Sequence, residues 1–348
     1  MNLFFATFIP GLQNFISDVM RKRLSDVKIR KLLDGAVLFE TETSYDKLNF
    51  FCFNNIFTVI SMLEESRAEA HQTSGQRSRE NLIEKYIKTL CNSAVNFNVI
   101  SSNSKNIRTF RIVVSNENVP AAVDMQLRAE TEKFISKLSG LKVNRSLPDT
   151  EFWFLYRSEG FCIFMKRLTM RSSWEKTLHK GELPPPLAWT LCSLAGLTHS
   201  DTALDPFCGC GSIPHAAVKY FHITKFTACD NSAKNLSVTS DKFKGRKTTE
   251  LILHKSEFSG LPSIIGEKTI DVIVTDPPWG HFDKSIDSRF LEKMFEVFEK
   301  LLKDGGRAVV LYANDDSFMR ALPSSFELQT QIPILLSGKK AVIYVMKK

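Results

Sequence analysis

Residues 202–221, with the sequence TALDPFCGCGSIPHAAVKYF, decide the fold of the second half of the chain. A short apolar run ends at Asp205, a turn containing Gly209 and Gly211 follows, and helical spacing begins at Ser212. Glycines between a strand and a helix let the backbone approach a ligand and leave amide groups exposed at the helix N-terminus. Many such turns contain a glycine without binding anything, and the spacing is not that of the dinucleotide-binding GxGxxG motif. The turn therefore indicates a binding site only if residues around it agree.

Short apolar runs alternate with helical patterns beyond this turn, which is typical of parallel strands buried on both faces. A helix over 289–303 is predicted to end at Gly305-Gly306, and the chain is predicted to close with a hairpin at Ser337-Gly338. We predict an α/β, Rossmann-like domain over residues 187–348 with a seven-stranded, mostly parallel sheet. Its first strands are TALDP, KFTACD, ELILHKSE, TIDVIVTDPP and RAVVLYAN.

Two acids follow the second and third of these strands. Asp230 ends the second strand, where a carboxylate can accept hydrogen bonds from both hydroxyls of a ribose. Glu257 follows the third strand, where a carboxylate could reach the amino group of an adenine. Taken alone, each of these acids would more often be an ordinary surface residue.

The decisive feature is the sequence Asp276-Pro277-Pro278-Trp279 at the end of the fourth strand. Ligands of open α/β sheets bind at the carboxyl ends of the strands. The prolines remove two amide donors and stiffen the turn, so that the Asp276 carboxylate and the Pro277 carbonyl form a rigid pair of acceptors. Trp279 offers a flat stacking surface. Together they suit a planar base whose exocyclic amine is held with its lone pair directed at a methyl donor.

The first half of the chain predicts smaller α/β units. A strand that ends at Pro10-Gly11 and a helix over 12–23 begin a domain over 1–65, and a mixed module follows over 66–168. This module contains the strand RTFRIVVS, a helix stopped by Gly140, and the strands EFWFLYR and FCIFMKRL joined at Gly160. YDKLNFFCFNN is helix-like. Residues 169–186 contain three consecutive prolines and are predicted to be a linker.

Charge and composition restrict the function classes. The 348 residues are 43% hydrophobic and 24% charged, which excludes a disordered or low-complexity protein. The net charge is +8, and residues 101–180 contribute most of it, with 14 Lys and Arg against 8 Asp and Glu. A polyanion such as nucleic acid would explain this excess, and a solvated basic face would explain it equally well. The candidates for such a basic surface are Lys133, Lys137, Lys142, Arg145, Arg157, Lys166, Arg167 and Arg171.

Cysteine usage and hydropathy indicate a reducing, non-membrane environment. The seven cysteines are scattered and form no CxxC, so neither a disulfide framework nor a metal site is expected. No apolar run is long enough for a membrane-spanning helix, and the start of the sequence lacks the basic region of a signal peptide. We therefore expect a cytoplasmic location. The oligomeric state stays open, and a monomer is plausible.

The order of these motifs resembles a known family. DPFCGCGS, Asp230, Glu257 and DPPW resemble the class I S-adenosylmethionine-dependent methyltransferases that act on amino groups. KGELPPPLAWTLCSLAGL, which leads into DPFCGCGS, is similar to the corresponding segment of the THUMP-domain RNA (guanine-N2) methyltransferases. FFATFIPGLQNFISDVMRKRL resembles their N-terminal domain, and the strands of residues 108–168 resemble a THUMP module. The resemblance covers nearly the whole chain and is specific over 181–283.

The resemblance implies an assignment of roles. Its domains would be a ferredoxin-like N-terminal domain, a THUMP-like RNA-binding module and the methyltransferase domain. The family forms N2-methylguanosine, mostly in tRNA. The cofactor S-adenosyl-L-methionine would be bound by Asp205, Phe207, Gly209, Gly211, Asp230 and Glu257, and the catalytic motif would be Asp276, Pro277, Pro278 and Trp279.

Two other function classes stay open at this stage. DPPW is shared with DNA amino-methyltransferases and related amine methyltransferases, although the basic upstream module favours a nucleic-acid substrate over a protein. A non-catalytic RNA-binding protein that keeps the cofactor fold is the second alternative, against which the intact turn and DPPW argue. No metal is implied.

Overall fold

A computed structural model describes residues 1–44, 48, 51–64, 76–92, 107–117, 119–169, 178–179, 181–244, 250–279, 289–313 and 316–348. The chain forms two compact units. The N-terminal unit comprises Met1–Thr7, Ser17–Asn49 and Asn55–Arg171, and the C-terminal unit comprises Phe8–Ile16, Phe50–Asn54 and Ser172–Lys348. The main division, after residue 171, lies inside the predicted linker 169–186.

One nine-stranded sheet forms the N-terminal unit, in the order β2-β3-β1-β4-β9-β8-β5-β6, with β7 paired to β5. Its strands are β1 (Asn2–Thr7), β2 (Lys28–Leu33), β3 (Ala36–Thr41), β4 (Asn55–Glu64), β5 (Thr109–Asn116), β6 (Val119–Pro120), β7 (Lys142–Val143), β8 (Thr150–Arg157) and β9 (Phe161–Arg167). Because β4 pairs with β9, the boundary predicted at residue 65 does not separate two sheets. The ferredoxin-like and THUMP-like domain limits stay predictions.

Local signals explain the helices and turns of this unit. The helices are α1 (Gln13–Arg23, whose first residues belong to the C-terminal unit), α2 (Gln76–Cys91) and α3 (Met125–Ser139). Asp124 caps α3 by accepting hydrogen bonds from two backbone amides, and Gly140 ends it with a φ of 71°. The predicted hairpin forms between β8 and β9, with Gly160 at a φ of 86°.

Part of the N-terminal unit differs from the sequence prediction. β2 and β4 were not predicted. The helix-like segment YDKLNFFCFNN covers residues 45–55, of which 45–47, 49 and 50 lie outside the described residues, while 51–54 are not helical and Asn55 begins β4. Hydrogen bonding of β4 to both β1 and β9 instead determines the conformation that follows this segment.

The C-terminal unit is the predicted α/β domain, with a seven-stranded sheet in the order β12-β11-β10-β13-β14-β16-β15. Its strands are β10 (Thr202–Asp205), β11 (Lys225–Asp230), β12 (Glu250–Lys255), β13 (Ile270–Thr275), β14 (Leu302–Ala313), β15 (Glu327–Leu336) and β16 (Lys339–Lys347). Strands β10 to β14 are parallel, and β16 pairs antiparallel with both β14 and β15. Its helices are α4 (Pro185–Leu194), α5 (Ser212–Phe221), α6 (Ala233–Lys242), α7 (Leu261–Ile265), α8 (Phe290–Leu301) and α9 (Ser317–Ala321).

Two predicted boundaries in this unit were wrong. The helix predicted over 289–303 ends at Leu301, and Gly305-Gly306 lies within β14. The last prolines of the predicted linker, Pro185 and Pro186, form the first turn of α4, where a missing amide hydrogen costs no hydrogen bond.

Residues 8–16 are an integral part of the C-terminal unit. The backbone carbonyl of Pro10 accepts a hydrogen bond of 3.1 Å from the amide of Leu335 in β15. Gly11 lies so close to this strand that a Cβ atom on it would be 2.0 Å from the carbonyl oxygen of Pro333. The ring of Phe15 lies 6.2 Å from that of Trp189 in α4. The C-terminal sheet and its helices are therefore completed by the start of the chain.

Within the described ranges, no helix is long and apolar enough to cross a membrane. The same part of the chain holds no group of three or more His, Cys, Asp or Glu side chains arranged for a metal ion. All seven cysteines lie in the described ranges and none forms a disulfide; Cys52, Cys162, Cys192, Cys208 and Cys229 are buried.

Candidate active site

The carboxyl ends of β10, β11 and β13 and the loop after β12 meet around one cavity of about 600 Å³. Seven of the ten site residues predicted from the sequence line it, namely Asp205, Phe207, Gly209, Asp230, Glu257, Asp276 and Pro278. The described residues that line the cavity do not include Gly211, Pro277 or Trp279. The sheet edge thus brings the glycine turn and the DPPW motif together, although they are separated by about 65 to 70 residues in the sequence.

The two glycines of the turn have different functions. Both adopt positive φ angles, 50° for Gly209 and 79° for Gly211. A Cβ atom on Gly209 would meet nothing within 4 Å, so this glycine borders open space in the cavity. A Cβ atom on Gly211 would lie 2.6 Å from the side chain of Thr239. Gly211 therefore allows α6 to pack against the turn, whereas Gly209 leaves room for a ligand.

Asp205 is buried and already bonded within the protein. Its Oδ1 accepts hydrogen bonds from the Thr275 hydroxyl at 2.7 Å and from the Phe207 amide at 3.1 Å. Burial raises the pKa of Asp205 to about 7, against the lowering effect of these two hydrogen bonds. Asp205 therefore holds the turn in shape and adds negative charge to the cavity wall.

Asp230 also stabilises the turn. Its Oδ2 accepts a hydrogen bond of 3.0 Å from the Gly209 amide, and its Oδ1 accepts from the Ser232 amide and from the Asn235 side chain. Glu257 is exposed at the rim of the cavity, where its Oε1 lies 3.4 Å from Nδ2 of Asn231. Both carboxylates face the cavity, in positions where they can accept hydrogen bonds from a ligand.

In the DPPW motif, the tryptophan is bonded to the aspartate. Nε1 of Trp279 donates a hydrogen bond of 2.9 Å to Oδ1 of Asp276. Burial raises the pKa of Asp276 to about 7, and the indole hydrogen bond opposes that rise. The Trp279 ring packs against the core of the C-terminal unit, so its predicted role as a stacking surface stays a prediction.

Two aromatic residues of the site were not predicted. Phe258 and Phe290 form a cluster with the predicted residue Phe207, with ring centroids 5.0 to 5.7 Å apart, and all three line the cavity. Phe258 could have been predicted from the sequence, because it directly follows the predicted site residue Glu257. Phe290 begins α8, and only the fold brings it to the site.

Glu182 is a third unpredicted residue of the cavity wall. Its carboxylate accepts hydrogen bonds from the Ser212 hydroxyl at the start of α5 and from Lys242 at the end of α6. Lys242 and these hydrogen bonds hold the pKa of Glu182 below its usual range, although burial opposes this. Glu182 thereby fixes the segment before α4 to the two helices that follow the glycine turn.

The charge of the cavity restricts what it can hold. Five carboxylates line it, and no lysine, arginine or histidine occurs among the described lining residues. A cavity of this charge favours a cationic ligand and disfavours a phosphate-bearing dinucleotide. S-adenosylmethionine carries a sulfonium and an ammonium group, so the residues present fit this cofactor. The carboxylates at the rim also suit its ribose, and the aromatic wall suits its adenine. The open glycine turn leaves room for its methionine chain to lie against the backbone.

Comparison with known proteins agrees with this geometry. Residues 172–332 match the family described as RMKL-like, methyltransferase domain. Over these residues the C-terminal unit resembles an RMKL-like methyltransferase domain. The predicted class I methyltransferase fold is confirmed by the crystal structure of TrmN from Thermus thermophilus, which covers 100% of both chains with a TM-score of 0.78 and 19% sequence identity.

Curated relatives confirm the resemblance to the THUMP-domain RNA methyltransferases. The U6 snRNA (guanine-N(2))-methyltransferase THUMPD2 of Mus musculus is 26% identical over 178 residues, which are 51% of this chain and 33% of that protein. The tRNA (guanine(10)-N2)-dimethyltransferase of Methanocaldococcus jannaschii is 24% identical over 254 residues, 66% of this chain and 70% of that protein. The chain matches about a third of the length of the THUMPD2 relatives.

The basic residues named as candidates for an RNA-binding surface divide into two groups. Arg157, Lys166 and Arg167 are buried, and the two arginines form ion pairs with Glu117, Glu159 and Glu151. These positions on β8 and β9 are sequestered in the unit, so their inclusion in a basic surface was wrong. The exposed candidates are Lys133, Lys137, Lys142 and Arg145, of which Arg145 pairs with Glu132; Arg171 lies outside the described residues.

Proposed function

We propose that this protein is an S-adenosylmethionine-dependent RNA methyltransferase that forms N2-methylguanosine, with tRNA as the preferred substrate. The observation that carries the proposal is the position of Asp276. Its carboxylate lies in the same cavity as the open glycine turn and the acids Asp230 and Glu257. A methyl donor bound at the turn and an amine bound at Asp276 would therefore meet in one cavity.

The cavity offers a distinct group for each part of the cofactor. Asp230 would accept hydrogen bonds from the ribose hydroxyls, and Glu257 would accept one from the adenine amino group. The adenine would lie near the aromatic cluster of Phe207, Phe258 and Phe290. When bound, the cofactor supplies an electrophilic methyl group on a positively charged sulfur. The carboxylates of the cavity stabilise that charge before transfer.

The DPPW motif would hold the acceptor amine. Because Trp279 occupies Oδ1 of Asp276, Oδ2 is the carboxylate oxygen that would accept a hydrogen from the guanine amino group. The Pro277 carbonyl would accept the second hydrogen, and the nitrogen lone pair would then point into the cavity. The target nucleotide must leave its base stack to reach this position. Positioning and electrostatics would supply most of the rate acceleration.

The proton released after transfer can leave through Asp276 or solvent. N-methylation makes the nitrogen positively charged and therefore acidic, so no strong base is needed. With a pKa of about 7, Asp276 is largely ionised above neutral pH and can accept both hydrogen bonds and a proton there.

Methyl transfer from labelled cofactor to total small RNA tests the proposal. We expect label in N2-methylguanosine and a loss of at least about a hundredfold in Asp276→Asn, which keeps the shape of the side chain but removes its charge. Asp304→Asn is a matched control, because this aspartate is exposed and pairs with the surface residue Lys268. Equal activity of Asp276→Asn and wild type would contradict the assignment.

Separate substrates distinguish the RNA classes and the alternative functions. Transfer to tRNA in preference to U6 snRNA and duplex DNA, compared at one salt concentration, is the expected result. Preference for duplex DNA or for an amine outside nucleic acid would favour another N-methyltransferase. Cofactor binding without transfer to any of these substrates would favour a non-catalytic RNA-binding protein. We also propose a cytoplasmic, monomeric enzyme, which fractionation and light scattering can check.

A further inference from the structure

The hydroxyl of Thr275 connects the two motifs of the active site. Thr275 is the last residue of β13 and directly precedes Asp276, while Asp205 is the last residue of β10. The two strands are parallel neighbours, with Ala203 opposite Val272. This pairing brings the Thr275 hydroxyl to 2.7 Å from Oδ1 of Asp205, although the residues are 70 positions apart. Thr275 is fully buried, and Asp205 is 1% exposed.

The same oxygen of Asp205 also fixes the cofactor turn. Oδ1 accepts the amide hydrogen of Phe207, which belongs to the aromatic wall of the cavity. The Thr275 hydroxyl and the Phe207 amide therefore converge on one atom. A shift of that oxygen would move the turn on one side and the DPPW motif on the other. A buried carboxylate tolerates the loss of a donor poorly, because no water can replace it.

We propose that Thr275 is a positioning residue for methyl transfer, whose hydroxyl holds the cofactor turn and the amine-binding motif in register through Asp205. The effect of Thr275 on catalysis rests on the function proposed above. Thr275 is not among the described residues that line the cavity, and its hydroxyl acts through Asp205.

The groups around Asp205 make the Thr275 hydroxyl important for the ionisation of the Asp205 carboxyl. The titratable groups that face Asp205 are Asp230 on β11, Asp276 after β13, and the thiols of Cys192 on α4, Cys208 in the turn and Cys229 on β11. Asp230 and Asp276 disfavour the ionised form of Asp205, and none of these groups offers a positive charge. The hydrogen bonds from Thr275 and Phe207 favour the ionised form and lower the pKa of Asp205.

Replacing Thr275 by valine keeps the shape and the β-branch but removes the hydroxyl. The pKa of Asp205 should then rise, so that a larger share of the protein carries a protonated Asp205 near neutral pH. A protonated Asp205 loses its charge-assisted hydrogen bond with the Phe207 amide, and the turn loosens. Cofactor affinity and turnover of Thr275→Val should therefore fall at pH 7 and recover as the pH rises.

The direct test follows the Asp205 carboxyl in the ligand-free, full-length protein by ¹³C NMR, with Asp205→Asn identifying its resonance. We expect Thr275→Val to move the titration midpoint upward by roughly one pH unit, and Thr275→Ser to restore it. Thr190→Val is the matched control, since it also removes a buried hydroxyl, which donates to the Pro186 carbonyl at 2.8 Å. This control should lower the melting temperature and leave the midpoint unchanged.

Kinetics supply the second measurement. For Thr275→Val we expect a severalfold lower kcat at pH 7 that recovers by about pH 9, with an unchanged KM for RNA. An unchanged Asp205 midpoint, or a loss of kcat that is equal at all pH values, would overturn the proposal. If neither the wild type nor the variants methylate RNA, the proposed function fails, but the NMR midpoint still decides the role of Thr275.

Discussion

Nε1 of Trp279 donates a hydrogen bond of 2.9 Å to Oδ1 of Asp276, so the last residue of the DPPW motif holds the first. The indole thereby occupies one carboxylate oxygen, and under the proposed function the other would accept a hydrogen from the substrate amine. It also opposes the effect of burial on the pKa of Asp276. An aromatic ring without a hydrogen-bond donor would keep the packing and lose this control of the carboxylate.

We therefore expect Trp279→Phe to lower kcat about tenfold at neutral pH and to move the acidic limb of the pH–rate profile upward. Loss of the donor raises the pKa of Asp276, and a hydrogen bond to a charged group contributes roughly 1.5 to 3 kcal/mol. A pH–kcat profile measures both effects. Trp153→Phe is the matched control, because Nε1 of Trp153 donates at 2.8 Å to Glu151 in the N-terminal unit. A profile of Trp279→Phe that coincides with that of the control would contradict this role.

The turn glycines give a pair of opposite expectations. Gly209→Ala should cost only the backbone term of a positive φ, about 1 to 2 kcal/mol, and weaken binding of S-adenosylhomocysteine at least tenfold, since its methyl group would enter open cavity space. Gly211→Ala should mainly destabilise the unit, by about 2 to 4 kcal/mol, since its methyl group would overlap Thr239. Calorimetric titration and thermal unfolding of both variants measure these effects. The expectation fails if the two variants lose affinity and stability in the same proportion.

Features that depend on neighbouring residues could be predicted from the sequence, whereas features that depend on the order of strands in the sheet could not. The glycine turn, DPPW, and the hairpins at Gly160 and Ser337-Gly338 were predictable because each depends on residues that are adjacent in the sequence. The link between Thr275 and Asp205 was not, because it requires the order of strands in the sheet. Phe290 reaches the cavity for the same reason.

The charge of a residue did not predict whether its side chain lies on the surface or in the interior. Arg157 and Arg167 count toward a basic module in any sequence-based tally, yet both are buried on strands and paired with glutamates. Glu151, at 1% exposure, bonds both Arg111 and Arg167, and these pairs hold its pKa below its usual range although burial opposes this. Composition cannot distinguish such internal ion pairs from a surface that faces RNA.

RNA binding should therefore depend on the exposed lysines. Lys133 and Lys137 lie one helical turn apart on α3, and Lys142 lies on β7 of the same unit. Changing all three to glutamine should weaken tRNA binding about tenfold or more and reduce the slope of log Kd against log salt by roughly two. Filter binding over a salt series measures both. The corresponding triple arginine variant keeps the charge and should bind like the wild type; equal binding by the glutamine variant would place the RNA elsewhere.

The start of the chain should be essential for the stability of the methyltransferase domain. Gly11 adopts a φ of 98°, and a Cβ atom on it would lie 2.0 Å from the carbonyl oxygen of Pro333, a backbone atom that cannot move without distorting β15. Gly11→Ala should therefore destabilise the C-terminal unit by more than about 3 kcal/mol, well above the cost of a positive φ alone.

Gly338→Ala provides the matched control for this last prediction. Gly338 has a φ of 80°, but a Cβ atom on it would meet nothing within 4 Å. Its substitution should cost only the backbone term of about 1 to 2 kcal/mol. Chemical denaturation followed by intrinsic tryptophan fluorescence, to which Trp189 beside Phe15 contributes, measures the two free energies of unfolding. Equal destabilisation by the two variants would mean that residues 8–16 can leave β15 at little cost.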